Sequence, residues 1–148
     1  MSETEKFLAA TMPRLTEAEI ALINGDASQR IAMWSRSEPV TLFGAAATRT
    51  GWAEARRTFE QLAVIFSDCT GYEIEVVAAG ASGDLAYLVA FEHVTASVNG
   101  VPAEPFTLRV TTVFRRENGQ WRVVHRHGDS PKSVAGHALA EQLPASDR

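Results

Sequence analysis

The chain is poor in several features that would narrow its class at once. It has one cysteine, Cys69, in 148 residues, and its longest apolar run is only Leu85 to Phe91. A single thiol excludes an intramolecular disulfide framework and a cysteine zinc cluster, and it is compatible with a reducing intracellular compartment. Cys69 has no basic neighbour in sequence to make it a thiolate, so it reads as an inert small residue. A seven-residue apolar run cannot cross a bilayer, and the opening MSETEKFLAATMPRL has neither a basic flank nor a long apolar core. These absences predict a cytoplasmic protein without a membrane partner. Basic residues are in the minority, with fourteen Lys plus Arg against eighteen Asp plus Glu and a net charge of -4. That balance argues against binding a nucleic-acid backbone. Gly44 to Gly51 lacks the Gly-Lys-Ser/Thr ending of a phosphate loop. No cofactor is expected.

What is present fits one globular domain. Hydrophobic residues make up 45% of the chain, and a domain of this size buries roughly 70% of its unfolded surface without needing a metal or a disulfide. Thr16-Glu17-Ala18-Glu19 has capping-box form with Leu15 and Ile20 at the staple positions, and Asn24-Gly25 supplies a left-handed stop. The expected organisation is an N-terminal arm over 1–14, a domain over 15–129 and a C-terminal tail over 130–148. A second short helix is expected over 27–35 and a strand over 40–43. From Gly51 onward, Trp52, Ala55, Phe59, Leu62 or Ala63, and Phe66 recur at helical spacing. Four alternating segments follow, about 72–79, 85–98, 106–116 and 120–127, with Asn99-Gly100 and Asn118-Gly119 as turn signals. Helices first and hairpins after predict an α+β fold with helices packed on one face of a bent antiparallel sheet.

The densest group of functional atoms is Trp121 to Asp129, W-R-V-V-H-R-H-G-D. Unbroken alternation places Trp121, Val123, His125 and His127 on one face, with Arg122, Val124 and Arg126 on the other. Two turns are possible before this strand. A three-residue loop sets His125 opposite Thr111 and His127 opposite Arg109, whereas a two-residue Asn-Gly turn pairs the histidines with Thr112 and Val110. The first is preferred because it gathers Arg109, Thr111, His125 and His127 into one polar group. Histidine titrates near neutrality and arginine can hold an oxyanion, so His125, His127 and Arg109 are the candidate catalytic residues. His125, His127 and Asp129 are all metal-donor types, but their spacing fixes no third ligand and Arg109 would oppose a cation, so no metal is assigned. Glu92 and His93 point to opposite faces of their strand.

Five arginines and one acid between Arg109 and His127 give that stretch +4 and leave -8 on the remainder. On this reading Arg122 and Arg126 form an outward strip, and Arg109 supplies a cationic end to an apolar pocket.

Two short helices, a strand, a long helix opening with Gly51-Trp52, and long strands closing on RRENGQWRVVHRHGD together resemble a known family. They are similar to the SnoaL-like branch of the nuclear-transport-factor-2-like superfamily, which includes ketosteroid isomerase, scytalone dehydratase, polyketide cyclases and the association domain of calcium/calmodulin-dependent kinase II. The resemblance spans about Leu15 to Asp129 and is carried most specifically by Val40-Thr41-Leu42, Gly51-Trp52, Arg109-Val110-Thr111 and Trp121-x-x-Val124-His125-x-His127.

It implies a cone, in which a curved antiparallel sheet with a mixed edge wraps a long helix around an inner pocket. It also implies a homodimer through the outer sheet face. By comparison with the kinase association domain, Thr111 and His125 face inward, and Tyr87 and Val89 lie on the pocket side. The tyrosine of ketosteroid isomerase's first helix is missing, and Thr41 and Phe43 stand where its base would be. Two readings stay open. One is an isomerase, lyase or cyclase acting on a small apolar carbonyl or oxyanion-forming substrate, with Trp34, Trp52, Phe59, Val89, Thr111 and Tyr87 shaping the pocket. The other is a non-catalytic ligand-binding or assembly module with an anion-accepting pocket.

Overall fold

The computed structural model describes residues 1–44, 46–131 and 142–143. The first helix, α1 (Glu3–Ile23), starts well before the Thr16 capping box. Ser2 caps it by accepting from the Glu5 N–H at 3.1 Å, and Glu3 and Glu5 place negative charge at the positive end of the helix dipole. Residues 3–14 are therefore helix rather than an arm, because the buried stripe that includes Leu15, Ala18 and Leu22 begins at Phe7 and Thr11. Pro13 lies inside the helix. Its ring removes the N–H that would bond the Ala9 carbonyl, but both residues are exposed and water can take that place. The helix ends at Asn24, and Gly25 adopts φ +96°.

Helix α2 (Ser28–Met33) is seated by Asp26, whose Oδ1 accepts from the Ser28 N–H at 2.9 Å. Strands β1 (Thr41–Gly44) and β2 (Ala47–Thr50) form a small hairpin ahead of α3 (Trp52–Ile65), and β2 had no signal in the sequence pattern. The long strands are β3 (Phe66–Ser82), β4 (Leu85–Val98), β6 (Phe106–Glu117) and β7 (Gln120–Asp129), with a two-residue β5 (Val101–Pro102) beside β4. The sheet runs β2-β1-β7-β6-β4-β3. All its neighbours are antiparallel except β1 against β7, so the α+β class holds with a mixed edge. From residue 132 on, the expected tail lies outside the described residues apart from 142–143.

Two features of β7 decide which side chains face the interior. Asn118 and Gly119 both have positive φ, so the turn has two residues and Glu117 faces Gln120. The register then slips. Phe114 faces Val123 but Val113 faces His125, leaving Val124 as a β-bulge. The extra residue reverses the alternation beyond it. Trp121 and Val123 face inward as expected, but so do Arg126 and Gly128, while His125 and His127 face outward. His127 consequently faces Thr111, and Arg109 faces Asp129. Neither register expected from the turn alone is the one formed.

The core fills one end of the wrapped sheet. Phe7 of α1 meets Phe114 and Trp121 edge-on, with ring centroids 5.0 and 5.2 Å apart. Trp34 packs on Phe59 at 4.9 Å. Along β4 the inward positions are Ala86, Leu88, Ala90, Glu92, Val94 and Ala96, every one of them buried.

Candidate functional site

At the other end the helices and the sheet stand apart and leave a half-open cavity of about 250 Å3 between them. Its apolar walls include Leu22 and Ile23 from α1, Leu42 from β1, Leu62 from α3, Val94 from β4 and Leu108 from β6. Four charged side chains also line it, and all four are buried: Glu19, Arg30, Glu92 and Arg126.

They form two ion pairs. Arg126 donates from Nη1 to Glu92 Oε2 at 2.9 Å and from Nη2 to Glu92 Oε1 at 2.8 Å. Arg30 donates from Nε to Glu19 Oε1 at 3.1 Å and from Nη2 to Glu19 Oε2. Bidentate pairing of this kind makes burial of the charges tolerable. Arg30 also lies over the Phe59 ring at 5.1 Å.

Burial alone would push the Glu92 carboxyl up. The charge and hydrogen bonds of Arg126, with smaller help from Arg30 and Tyr72, outweigh that and hold it below its ordinary value. Burial would likewise lower Arg126, but Glu92 and Glu19 raise it instead. Tyr72 of β3 stands beside this cluster with its phenol raised, first by burial and then by the charges of Glu92 and Glu19. Its hydroxyl is buried and makes no hydrogen bond of normal geometry among the described residues, although it is near enough to Glu92 to favour the charged carboxylate.

The residues singled out from sequence lie elsewhere. Arg109, Thr111, His125 and His127 do come together, but on the outer face of the sheet. There His125 Nδ1 lies 2.7 Å from Thr41 Oγ1, and the Phe43 ring meets both imidazoles edge-on at 5.3 and 5.8 Å. Burial, and next the neighbouring His127, lower the His125 pKa. Arg109 is paired with Asp129 through bonds of 2.9 and 3.0 Å in the open, where such a pair contributes little. Tyr87 and Val89 share this outer face and do not lie on the cavity side. With Val77, Phe91, Arg109, Thr111, His127 and Asp129, Val89 lines a shallow outer groove. Trp34 and Phe59 are core residues, and Trp52 lies half-buried at the start of α3 beneath Arg36. Arg126 is inward and Arg109 outward, the reverse of the expected arrangement. Among the described residues no group of three or more His, Cys, Asp or Glu is placed to hold a metal.

Sequence reasoning missed Glu19, Arg30, Tyr72, Glu92 and Arg126. Two of them carried a signal. Glu92 is in phase with Leu88, Ala90, Val94 and Ala96, and Glu19 is in phase with Leu15 and Leu22, so both fall on the apolar side of their elements. Arg126 carried none, because a bulge at Val124 has no distinctive residue type.

The SnoaL-like domain family matches residues 12–132. The chain belongs to the SnoaL-like family. That family includes ketosteroid-isomerase-type enzymes and ligand-binding proteins. Solved structures share the fold at low identity. A candidate calcium/calmodulin-dependent protein kinase type II association domain from Thiobacillus denitrificans is 18% identical with a TM-score of 0.68, over 82% of this chain and 94% of that one. A ketosteroid isomerase-like protein from Erwinia carotovora is 20% identical with a TM-score of 0.67, over 86% and 98%. A candidate dehydratase of the nuclear-transport-factor-2-like family from Streptomyces avermitilis is 15% identical with a TM-score of 0.67, over 85% and 96%. No match is found among curated proteins. At these identities the likeness carries the fold, so the SnoaL-like chain's chemistry must be argued from its own cavity. No helix among the described residues is long and apolar enough to cross a membrane.

Proposed function

We propose that this SnoaL-like protein binds a small, mostly apolar molecule in the interior cavity, with an oxygen-bearing end against the buried Glu19, Arg30, Glu92 and Arg126 cluster. The observation that carries the reading is the combination of apolar walls with two fully internal ion pairs in about 250 Å3. Concave, largely apolar sites with a few convergent polar groups are the usual form of a small-molecule site. A buried ion pair contributes little net stability over a well-packed apolar pair, so stability alone does not account for two of them here.

A catalytic reading has one observation of its own in its favour. Two carboxylates face an apolar cavity beside guanidinium N–H groups, which is the equipment for removing a proton and stabilising the resulting oxyanion. Against it, both carboxylates are committed to bidentate pairs, and Glu92 is held below its ordinary pKa and so is a weak base. Binding is therefore the better supported role.

The test is a thermal-shift and NMR screen of ketones, lactones, alcohols and carboxylates against the wild type and Leu62→Trp, which fills the cavity from α3. Ligands that stabilise the wild type and not Leu62→Trp support the interior site. Ligands that stabilise both equally contradict it.

The outer sheet face supports a second proposal, that two copies associate through it. Phe43, Val77 and Tyr87 are 39%, 58% and 47% exposed there. Apolar residues gathered on one face are characteristic of association surfaces. Light scattering should then give twice the chain mass, and Tyr87→Glu should return it to one.

A further inference from the structure

Strand β6 loses its cover where β7 ends. Its inward side chains Val110, Thr112 and Phe114 lie alongside β7 and are buried, whereas Phe106 and Leu108, which line the cavity, are only half-buried. The last β6–β7 pair is Arg109 with Asp129, so among the described residues no strand flanks Phe106 to Leu108 on that side. Pro131 stops β7 from continuing, because it has no N–H for the next rung of the ladder. Ala46 and Ala47 of the β1–β2 hairpin, and Phe66 at the start of β3, line the same cavity and are also incompletely buried. From this gap we infer that the chain covers its own cavity. The segment Val134 to Leu139, outside the described residues, lies across the opening with its apolar side chains on Phe106 and Leu108.

Three properties select this segment. The first is position. Gly128, the last inward residue of β7, lines the cavity, and Val134 follows Pro131 by three residues, a reach of at most about 10 Å. The apolar part of the tail therefore begins beside the opening. The second is charge. Ser133 to Ala140 reads S-V-A-G-H-A-L-A, eight residues without Lys, Arg, Asp or Glu in a chain that is 22% charged. The third is spacing, since Val134, Ala135, Ala138 and Leu139 recur as one face of a helix, the form of a stripe that packs on an apolar rim.

The outer groove also begins beside the end of β7, but there it presents Arg109, His127 and Asp129. An uncharged apolar segment laid on them would strip water from the Arg109–Asp129 pair and supply no hydrogen bonds in return. Phe106 and Leu108, by contrast, are stabilised by losing water. The opening is therefore the better match, and the cover does not depend on which molecule the cavity binds.

The experiment uses the full chain with Cys69→Ser, so that a nitroxide attaches only at Ala140→Cys. That position falls on the opposite side of the segment from the apolar stripe, and Ser133→Cys, on the same side as Ala140, gives a second label site. Paramagnetic broadening is read at the methyl groups of Leu62 and Leu108, at the cavity, and of Val77 and Val89, on the outer groove. Leu62 and Leu108 should lose more signal than Val77 and Val89, and Leu139→Glu, which sets a charge in the stripe, should bring the signal back. Spin-labelled chains mixed with methyl-labelled ones should broaden Leu62 and Leu108 much less. The inference is overturned by stronger broadening at Val77 and Val89, which would seat the tail on the outer groove, or by equal broadening in the mixed sample, which would make the cover a second copy's tail. It is equally overturned by no broadening at Leu62 and Leu108, or by broadening that Leu139→Glu leaves unchanged. Binding of a small apolar ketone, 2-acetonaphthone, is measured separately, so failure of the cover and failure of the interior site are told apart.

Discussion

Arg126 and Glu92, 34 positions apart in sequence, meet through two parallel hydrogen bonds of 2.9 and 2.8 Å with both side chains inside the sheet. The contact exists because the bulge at Val124 turns Arg126 inward from the strand that carries two outward histidines. Removing one partner leaves a buried, uncompensated charge. Glu92→Ala and Arg126→Met should each cost about 3–5 kcal/mol in urea denaturation. The double variant Glu92→Leu with Arg126→Met should cost clearly less than the sum of the single changes. Additive losses would mean that the two side chains are not coupled.

The same pair sets an acid limit. The Glu92 pKa is lower in the folded state than the ordinary value of 4.5, so its stabilising contribution is complete above about 4.5 and is lost as the pH falls through the lower folded value. Acid unfolding followed by circular dichroism should therefore show the pair intact at pH ~5 and above. In Glu92→Gln that part of the acid dependence should disappear.

His125 has the opposite chemistry but the same direction of pH effect. Its folded pKa lies below 6.5, so the unfolded chain takes up its proton first. The contribution is complete above 6.5 and is lost as the pH falls below that value. His125→Gln should flatten stability against pH just below 6.5 and leave the region above it unchanged. Because the side chain is partly exposed, the effect should be small.

Phe7 tests whether residues 3–14 belong to the folded domain. It is fully buried against Phe114 and Trp121. Phe7→Ala should cost about 3–5 kcal/mol, as for other buried aromatic residues cut to alanine. A loss within about 0.5 kcal/mol, the range of ordinary surface substitutions, would make this half of α1 an appendage.

Much of the fold was legible because its signals are local. Asn118-Gly119 and Asn99-Gly100 both specify turns through positive φ, and the Trp52, Ala55, Phe59 spacing specifies α3. The start of α1 was misplaced because Thr16-x-x-Glu19 has the form of a capping box, while the buried Phe7 and Thr11 lie upstream of it. In the structure Glu19 instead pairs with Arg30 inside the molecule. The site was legible only in part. Glu92 had the phase of an inward residue, but choosing between Arg126 and His125 as the inward group required knowing where β7 slips. Slippage depends on how β6 and β7 pair and not on either segment alone. One extra residue in a strand exchanges the two faces, so a single bulge was enough to move the candidate site from the outer histidines to the inner arginine.

The outer histidines also supply a negative control. With the ligand site inside, His127→Asn and Arg109→Met should change the dissociation constant of 2-acetonaphthone by less than about 2-fold, the effect expected of substitutions remote from the contact. Isothermal calorimetry on the two variants checks this, and a loss of ~10-fold or more in either would return the site to the outer face.

The most direct test of the interior site is the set of intermolecular NOEs from bound 2-acetonaphthone in methyl-labelled protein. The account predicts contacts to the methyl groups of Leu22, Leu62 and Leu108, which line the cavity. Contacts to the ring protons of His125 and His127, with none to those leucines, would contradict it.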